Sequence, residues 1–206
     1  MPQPFRAVIF DLDGVLADSE PWWSEIDKKL LGEYGVAYRG EHHRHVLGVS
    51  YEELMRRREE IAAEFFANRI GLFPSTRQAL EHLRQMNLRL AVATSSVSAS
   101  ARPFLDRHQL TAFFDVIVTG DEVEHGKPSP DIYLRAAKKL GVTATECLVI
   151  EDALSGIAAA KAAGMRVAAI PDRRFVDSRD YEKQANYLLD NLSEIPALVR
   201  SAVVTD

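Results

Sequence analysis

Ala7-Val8-Ile9-Phe10-Asp11-Leu12-Asp13-Gly14 is the stretch that decides the fold. Four consecutive apolar residues end abruptly on two carboxylates and a glycine. A short, uninterrupted apolar run is the pattern of a strand buried on both faces, as in a parallel sheet covered by helices on each side. Four more runs repeat it: Leu88–Ala93, Val116–Val118, Cys147–Ile150 and Val167–Ile170.

Helical patterns lie between these runs. Ser75 to Met86 opens with the capping-box spacing Ser75-x-x-Gln78 and carries Ala79, Leu80, Leu83 and Met86 on one face. Ser129 at an N-cap and Pro130 at the first helical position open another, with the stripe Ile132, Tyr133, Ala136, Ala137 and Leu140 and a stop at Gly141. Ala153 to Ala163 forms a third, ended by Gly164, and a weaker pattern covers Ser98 to His108. Strand alternating with helix predicts right-handed crossovers, hence an α/β, Rossmann-like, doubly wound parallel sheet. Tyr187-Leu188-Leu189 reads as a short edge strand, and a last helix is expected from Ser193 to about Ala202.

One segment breaks the alternation. Between Ser19 and Phe73 no buried strand is visible. Trp22, Ile26, Leu30 and Tyr34 mark one helix there, and Leu54, Ile61 and Phe65 mark another. The reading is a small α-helical cap domain inserted after the first strand, residues 18–74, hinged near Leu16–Glu20 and Leu72–Ser75. A catalytic core would comprise residues 1–17 and 75–206.

Composition narrows the function. The chain has 206 residues, 47% hydrophobic and 27% charged, which is ordinary globular composition for one domain carrying an insert. A net charge of -5 gives no reason to expect nucleic acid as partner. No apolar run approaches the roughly 20 residues of a membrane span. The N-terminus shows no secretory pattern, so a cytoplasmic protein, acting as a monomer, is expected. The single cysteine, Cys147, rules out an intramolecular disulfide and a cysteine zinc site, and its apolar strand makes packing its role.

Ligands of open parallel sheets bind beyond the carboxyl ends of the strands. At those ends stand Asp11 and Asp13, then Thr94-Ser95-Ser96, then Gly126-Lys127-Pro128, then Glu151-Asp152. Asp11 and Asp13, two residues apart on an extended chain, point to one side. Such carboxylates are costly together unless a cation or a shared proton joins them. With Asp152, and with Glu151 close by, they form an all-oxygen set that suits Mg2+ rather than zinc. Thr94 and Ser95 offer hydroxyl and amide donors to a phosphate, and Lys127 adds positive charge. The set reads as a phosphoryl-transfer site.

The same residues resemble the haloacid-dehalogenase-like hydrolases. Phe10-Asp11-Leu12-Asp13-Gly14-Val15-Leu16-Ala17-Asp18-Ser19 is similar to the first family motif, Thr94-Ser95 to the second, Gly126-Lys127-Pro128-Ser129-Pro130-Asp131-Ile132-Tyr133 to the third, and Glu151-Asp152-Ala153-x-x-Gly156-Ile157 to the fourth. The insert sits where the helical-cap subfamily carries its cap. The resemblance implies that Asp11 is the nucleophile and forms an aspartyl-phosphate, and that Asp13 protonates the leaving oxygen and then activates water. It implies Mg2+ on the Asp11 carboxylate, the Asp13 carbonyl and Asp152, with Glu151 near or in the shell. Thr94 and the Ser95 amide would hold phosphoryl oxygens, and Lys127 would pair with Asp11 and the transferring group. The substrate would be a small-molecule phosphate ester.

Within that family Asp13 argues against dehalogenation. Lys28 and Lys29 lie on a polar helix face and read as solubilising rather than as a Schiff-base lysine. The choice is between a sugar-phosphate phosphatase and a beta-phosphoglucomutase-like enzyme, with a non-catalytic phosphate-binding protein as the other class; the presence of both Asp11 and Asp13 favours an enzyme. Trp23 stands where the mutase has a cap histidine, and Tyr51 follows Gly48-Val49-Ser50 where it has a basic residue, so hydrolysis is expected. The cap reads short by about one helix, and Pro74-Ser75-Thr76 replaces the usual Pro-Gly-Val. Gly48, Ser50 and Trp23 are the cap candidates for substrate contact. Trp22, Tyr38 and Tyr51 are further aromatics that could stack on a sugar, although Trp22 lies on the apolar stripe and reads as core. His42 and His45 have metal-ligand spacing but no third partner, so no metal is assigned to them.

Overall fold

The computed structural model describes residues 5–37 and 50–202. Tyr38, His42, His45 and Gly48 lie outside the described residues. Among the described residues six parallel strands follow one another: β1 (Ala7–Phe10), β2 (Arg89–Ala93), β3 (Val116–Val118), β4 (Cys147–Glu151), β5 (Arg166–Ala169) and β6 (Tyr187–Leu188). They form one sheet in the order β3-β2-β1-β4-β5-β6. Val8 pairs with Leu90 on one side and with Leu148 on the other. Strand order reverses between β1 and β4, and the crevice at such a switch point is where open α/β sheets bind ligands.

Period-two alternation assigns the strand residues to two apolar layers. Val8, Phe10, Leu90, Val92, Leu148 and Ile150 face the side covered by α3 (Thr76–Gln85), α4 (Ser98–Arg107) and α7 (Ile195–Ser201). Ala7, Ile9, Ala91, Ala93, Cys147 and Val149 face α5 (Asp131–Leu140) and α6 (Leu154–Ala162). The sheet is thus doubly wound, as the buried runs predict. Among the described residues no helix is long and apolar enough to cross a membrane.

Two helix starts differ from expectation. Ser75 precedes α3 with φ 68°, in the left-handed region, and its side chain makes no cap bond. A capping serine works from extended backbone, so the Ser75–Gln78 box does not form. Thr76 Oγ1 donates to the Phe73 carbonyl at 2.8 Å instead. At α5 the helix begins at Asp131 with Pro130 in the cap position, and Ser129 Oγ donates to Asp131 Oδ1 at 2.7 Å rather than capping a backbone N–H.

The insert carries α1 (Glu20–Glu33) and α2 (Tyr51–Asn68). Its two linkers run side by side. Ala17 and Leu72 form an antiparallel bridge, the Asp18 N–H donates to the Gly71 carbonyl at 3.0 Å, and the Phe73 N–H donates to the Leu16 carbonyl at 3.1 Å. Among the described residues the insert has no apolar core of its own. Ile26, Ile61 and Phe66 belong to the same buried cluster as Val8, Phe10 and Phe104, and the Phe66 and Phe104 rings meet edge-on at 5.7 Å. Trp22 packs as expected of a stripe residue, its ring 5.9 Å from Phe65.

Candidate active site

β1 and β4 deliver their acidic ends side by side. Asp11 leaves β1 with its N–H bonded to the Ile150 carbonyl at 3.0 Å, which keeps the chain in register with β4 to the end of the strand. Glu151 is the last residue of β4. Lys127, from the loop before α5, reaches between them: Nζ donates to Asp11 Oδ1 at 2.5 Å and to Glu151 Oε1 at 2.7 Å. All three side chains are nearly inaccessible, at 8%, 1% and 7% for Asp11, Glu151 and Lys127.

Glu151 is saturated. Besides Lys127, the Tyr133 hydroxyl donates to Oε1 at 2.7 Å, and the Asp152 and Ala153 amides both donate to Oε2 at 2.9 Å. A carboxylate has about four acceptor sites, and all four are used. Gly156 makes room for it: a Cβ there would lie 1.6 Å from Glu151 Oε1.

Asp13 turns toward the second strand end. Its Oδ2 accepts from Ser96 Oγ at 2.7 Å and from Thr94 Oγ1 at 3.3 Å, and Thr94 Oγ1 in turn accepts from the Ser96 N–H at 3.0 Å. Among the described residues Asp13 Oδ1 is buried without a hydrogen-bond partner. The Thr94 hydroxyl is therefore engaged inside the protein, while Ser95 and Ser96 line the cleft. Ser96 and Tyr133 are site residues that the spacing of charged groups does not reveal. The signal for each was adjacency to a motif residue: Ser96 follows Thr94-Ser95, and Tyr133 closes the stretch that begins at Gly126.

The charge balance is strained toward the negative. Burial pushes Asp11 up to about 7; Lys127 pulls it down, while Glu151 and Asp13 add to the rise. Burial likewise pushes Asp152 up to about 9, with the charges of Asp11 and Glu151 adding. Asp13 is raised by burial and drawn back by the Ser96, Ser19 and Thr94 hydroxyls, although Ser19 makes no well-directed hydrogen bond. Burial opposes the Lys127 ammonium, but Asp11 and Glu151 hold its pKa well above the ordinary value. Carboxylate oxygens of Asp11, Glu151 and Asp152 lie within 4.8 Å of one another. One lysine does not neutralise three acids. The all-oxygen donors, the raised carboxyls and the unpartnered Asp13 oxygen fit a hard divalent cation. The Gly14 backbone, at φ 71°, lies so close that a Cβ would sit 1.9 Å from Asp152 Oδ2.

The cleft above this floor has a volume of about 280 Å3 and is lined on the cap side by Glu20, Trp23, Arg58 and Glu59. Trp23 is thus brought to the site. Ser50 is not among the lining residues; its Oγ caps α2 by accepting from the Glu53 N–H at 3.1 Å. Tyr51 is 59% exposed at the start of α2, away from the cleft lining. Lys28 and Lys29 pair with Glu25 and Glu64 on the cap surface. Cys147 is buried in β4, and burial pushes its thiol up to about 12, so it packs rather than reacts. A larger cavity, about 680 Å3, opens beyond Gly14 between the second linker and the loop after β5, but it contains none of the Asp11, Lys127, Glu151 and Asp152 groups.

The description "Haloacid dehalogenase-like hydrolase" matches residues 8–170, which include all four strand-end motifs. The chain belongs to this family. As a haloacid dehalogenase-like hydrolase it has well-covered relatives. It is 37% identical to a phosphorylated carbohydrates phosphatase of Thermotoga maritima over 78% of this chain and 82% of that one. It is 33% identical to the fructose-1-phosphate phosphatase YqaB of Escherichia coli over 80% and 96%. Among solved structures, CbbY of Rhodobacter sphaeroides in complex with phosphate matches with a TM-score of 0.78 at 27% identity, covering 93% of this chain and 96% of that one. A Thermotoga maritima structure assigned provisionally as a beta-phosphoglucomutase matches with a TM-score of 0.77 at 32% identity, covering 96% and 99%. With the site's chemistry, these make the haloacid dehalogenase-like hydrolase a phosphomonoester hydrolase.

Proposed function

We propose that the chain hydrolyses a small phosphorylated carbohydrate with Mg2+ through an aspartyl-phosphate on Asp11. The observation that carries this reading is the Asp11 carboxylate on the cleft floor, held at Oδ1 by Lys127 while Lys127 is itself fixed by a saturated Glu151. A nucleophile positioned by one oxygen keeps the other for attack. The Asp11 oxygen attacks phosphorus, and the bond to the leaving oxygen breaks. Asp13, two residues on and oriented by Ser96 and Thr94, gives the leaving oxygen its proton and later takes one from the water that cleaves the phosphoenzyme. Lys127 and the Ser95 amide hold the phosphoryl oxygens. Mg2+ would be held by Asp11, Asp152 and the Asp13 carbonyl, and would supply positive charge to the phosphoryl group. Glu151 stands outside that shell in this reading, since its oxygens already accept four donors; it fixes Lys127.

Hydrolysis rather than isomerisation is the reading that the cap supports. A mutase must keep its phosphoenzyme from water until a second sugar hydroxyl arrives. Trp23 and Tyr51 stand where the mutase has a histidine and a basic residue and supply neither, and Arg58, the cap-side cation among the described residues lining the cleft, is paired with Asp27. The test is phosphate release over a panel of sugar phosphates with Mg2+, with and without excess EDTA. Release that needs the metal supports the reading, and full activity in EDTA overturns the metal. With beta-glucose 1-phosphate and the 1,6-bisphosphate as primer, glucose 6-phosphate forming faster than inorganic phosphate would restore the mutase.

A further inference from the structure

The cleft has two sides of different character. The floor carries the reacting groups, whereas the cap side carries Glu20 and Trp23 from the first turns of α1 and Arg58 and Glu59 from α2. Glu20 and Trp23 are three residues apart on a helix and share a face. Arg58 is the one cation on the cap side of the cleft among the described residues, and it is committed. Its Nε donates to Asp27 Oδ1 at 2.8 Å, and its guanidinium lies 4.7 Å from the Trp23 ring centre. Glu20 and Glu59 are half-buried, and among the described residues neither forms a hydrogen bond or a salt bridge. Burial raises both carboxyls, and the Asp13 charge adds to the rise in each, with Arg58 pulling Glu59 partly back and Arg174 doing the same for Glu20. Both therefore stand within electrostatic range of the cleft floor.

Carboxylates accept hydrogen bonds and donate none. Two of them on one wall of the cleft suit a neutral, hydroxyl-bearing body, whose O–H groups donate to the carboxylates. They oppose a second anion, because like charges repel in a partly desolvated cleft and Arg58 is already paired. We infer that Glu20 and Glu59 select the substrate class: phosphomonoesters of neutral polyhydroxylated skeletons are taken, and esters with a second anionic group, such as phosphorylated carboxylic acids and bisphosphates, are rejected. The inference rests on the phosphatase reading and adds the side chains that choose among phosphate esters.

The experiment measures kcat/KM with Mg2+ for two matched pairs, glucose 6-phosphate against fructose 1,6-bisphosphate and glycerol 3-phosphate against 3-phosphoglycerate. It uses the wild type, Glu20→Gln, Glu59→Gln and the double variant. The wild type is expected to favour the first member of each pair at least tenfold. Each single variant should narrow that ratio several-fold and the double variant further, mainly by lowering KM for the anionic member. Ratios within one preparation do not depend on the fraction of active enzyme, so a poorly folding variant still reports. Equal rates on both members in the wild type, or unchanged ratios in the variants, would overturn the inference. p-Nitrophenyl phosphate separates the two failures: if the wild type does not hydrolyse it with Mg2+ the phosphatase reading itself falls, whereas its hydrolysis without discrimination in the pairs removes only the selection by Glu20 and Glu59.

Discussion

The strand ends and the cap hold their charged groups by different means. At the strand ends Lys127, Asp11 and Glu151 are buried together, and the Tyr133 hydroxyl and two backbone amides complete the coordination of Glu151. On the cap, Lys29–Glu64, Arg57–Glu33 and Arg58–Asp27 are pairs between side chains that remain a quarter to more than half exposed. A buried set cannot lose one member without leaving an uncompensated charge. An exposed pair loses little, because water and salt replace the partner. The difference teaches where change is tolerated: the chemistry sits where every partner is obligatory, and the groups that face the substrate's body sit where partners are replaceable.

The largest effect that tests this contrast is at the nucleophile. Asp11→Asn is nearly isosteric yet cannot attack, so turnover should fall at least a thousandfold, about 4 kcal/mol of barrier, while circular dichroism shows the fold intact. A purified variant keeping more than a few per cent of the rate would remove Asp11 from that role. Next comes the seam between cap and core. Phe66→Ala empties a fully buried ring site against Phe104 and should cost about 3–5 kcal/mol. Because cap and sheet share one apolar cluster, thermal unfolding of the wild type should show one transition; two resolved transitions would mean that the cap is energetically separate.

A smaller effect is expected at Tyr133. Tyr133→Phe removes one donor to Glu151 Oε1 but leaves Lys127 on the same oxygen, so about 1 kcal/mol should be lost in urea unfolding. The smallest belongs to the cap surface. Arg57→Ala breaks pairs with Glu33 and Glu60 at 2.7 and 2.8 Å, and the loss in urea unfolding should be smaller than that of Tyr133→Phe and shrink with added salt. An Arg57 cost above that of Tyr133 would break the contrast.

Much of this was legible in the residues. Buried strands announce themselves as continuous apolar runs, and the carboxylates that follow them are placed by the sheet alone, which is why Asp11 and Asp152 were legible as neighbours, whereas Lys127 reaches them from a loop well past β3. Local signals misled where the backbone departed from the ordinary: Ser75 has the right spacing for a cap but sits at φ 68°. Ser96 and Tyr133 stand within the quoted stretches, but neutral hydroxyls carry no charge pattern that assigns them a role; their roles exist only through contacts with residues 83 and 18 positions away. The same holds for the seam of Phe66 and Phe104, a non-local contact that no periodicity encodes.

The bridge between Ala17 and Leu72 makes the insert a modular element. Seen from the sheet, everything between these residues begins and ends at one point, so a short turn and a long helical lid are interchangeable at that junction without rethreading the core. Phe104 sets the condition on such an exchange: any lid spliced in there has to bring its own apolar residue to cover that ring, or it leaves an adhesive apolar surface at the mouth of the sheet.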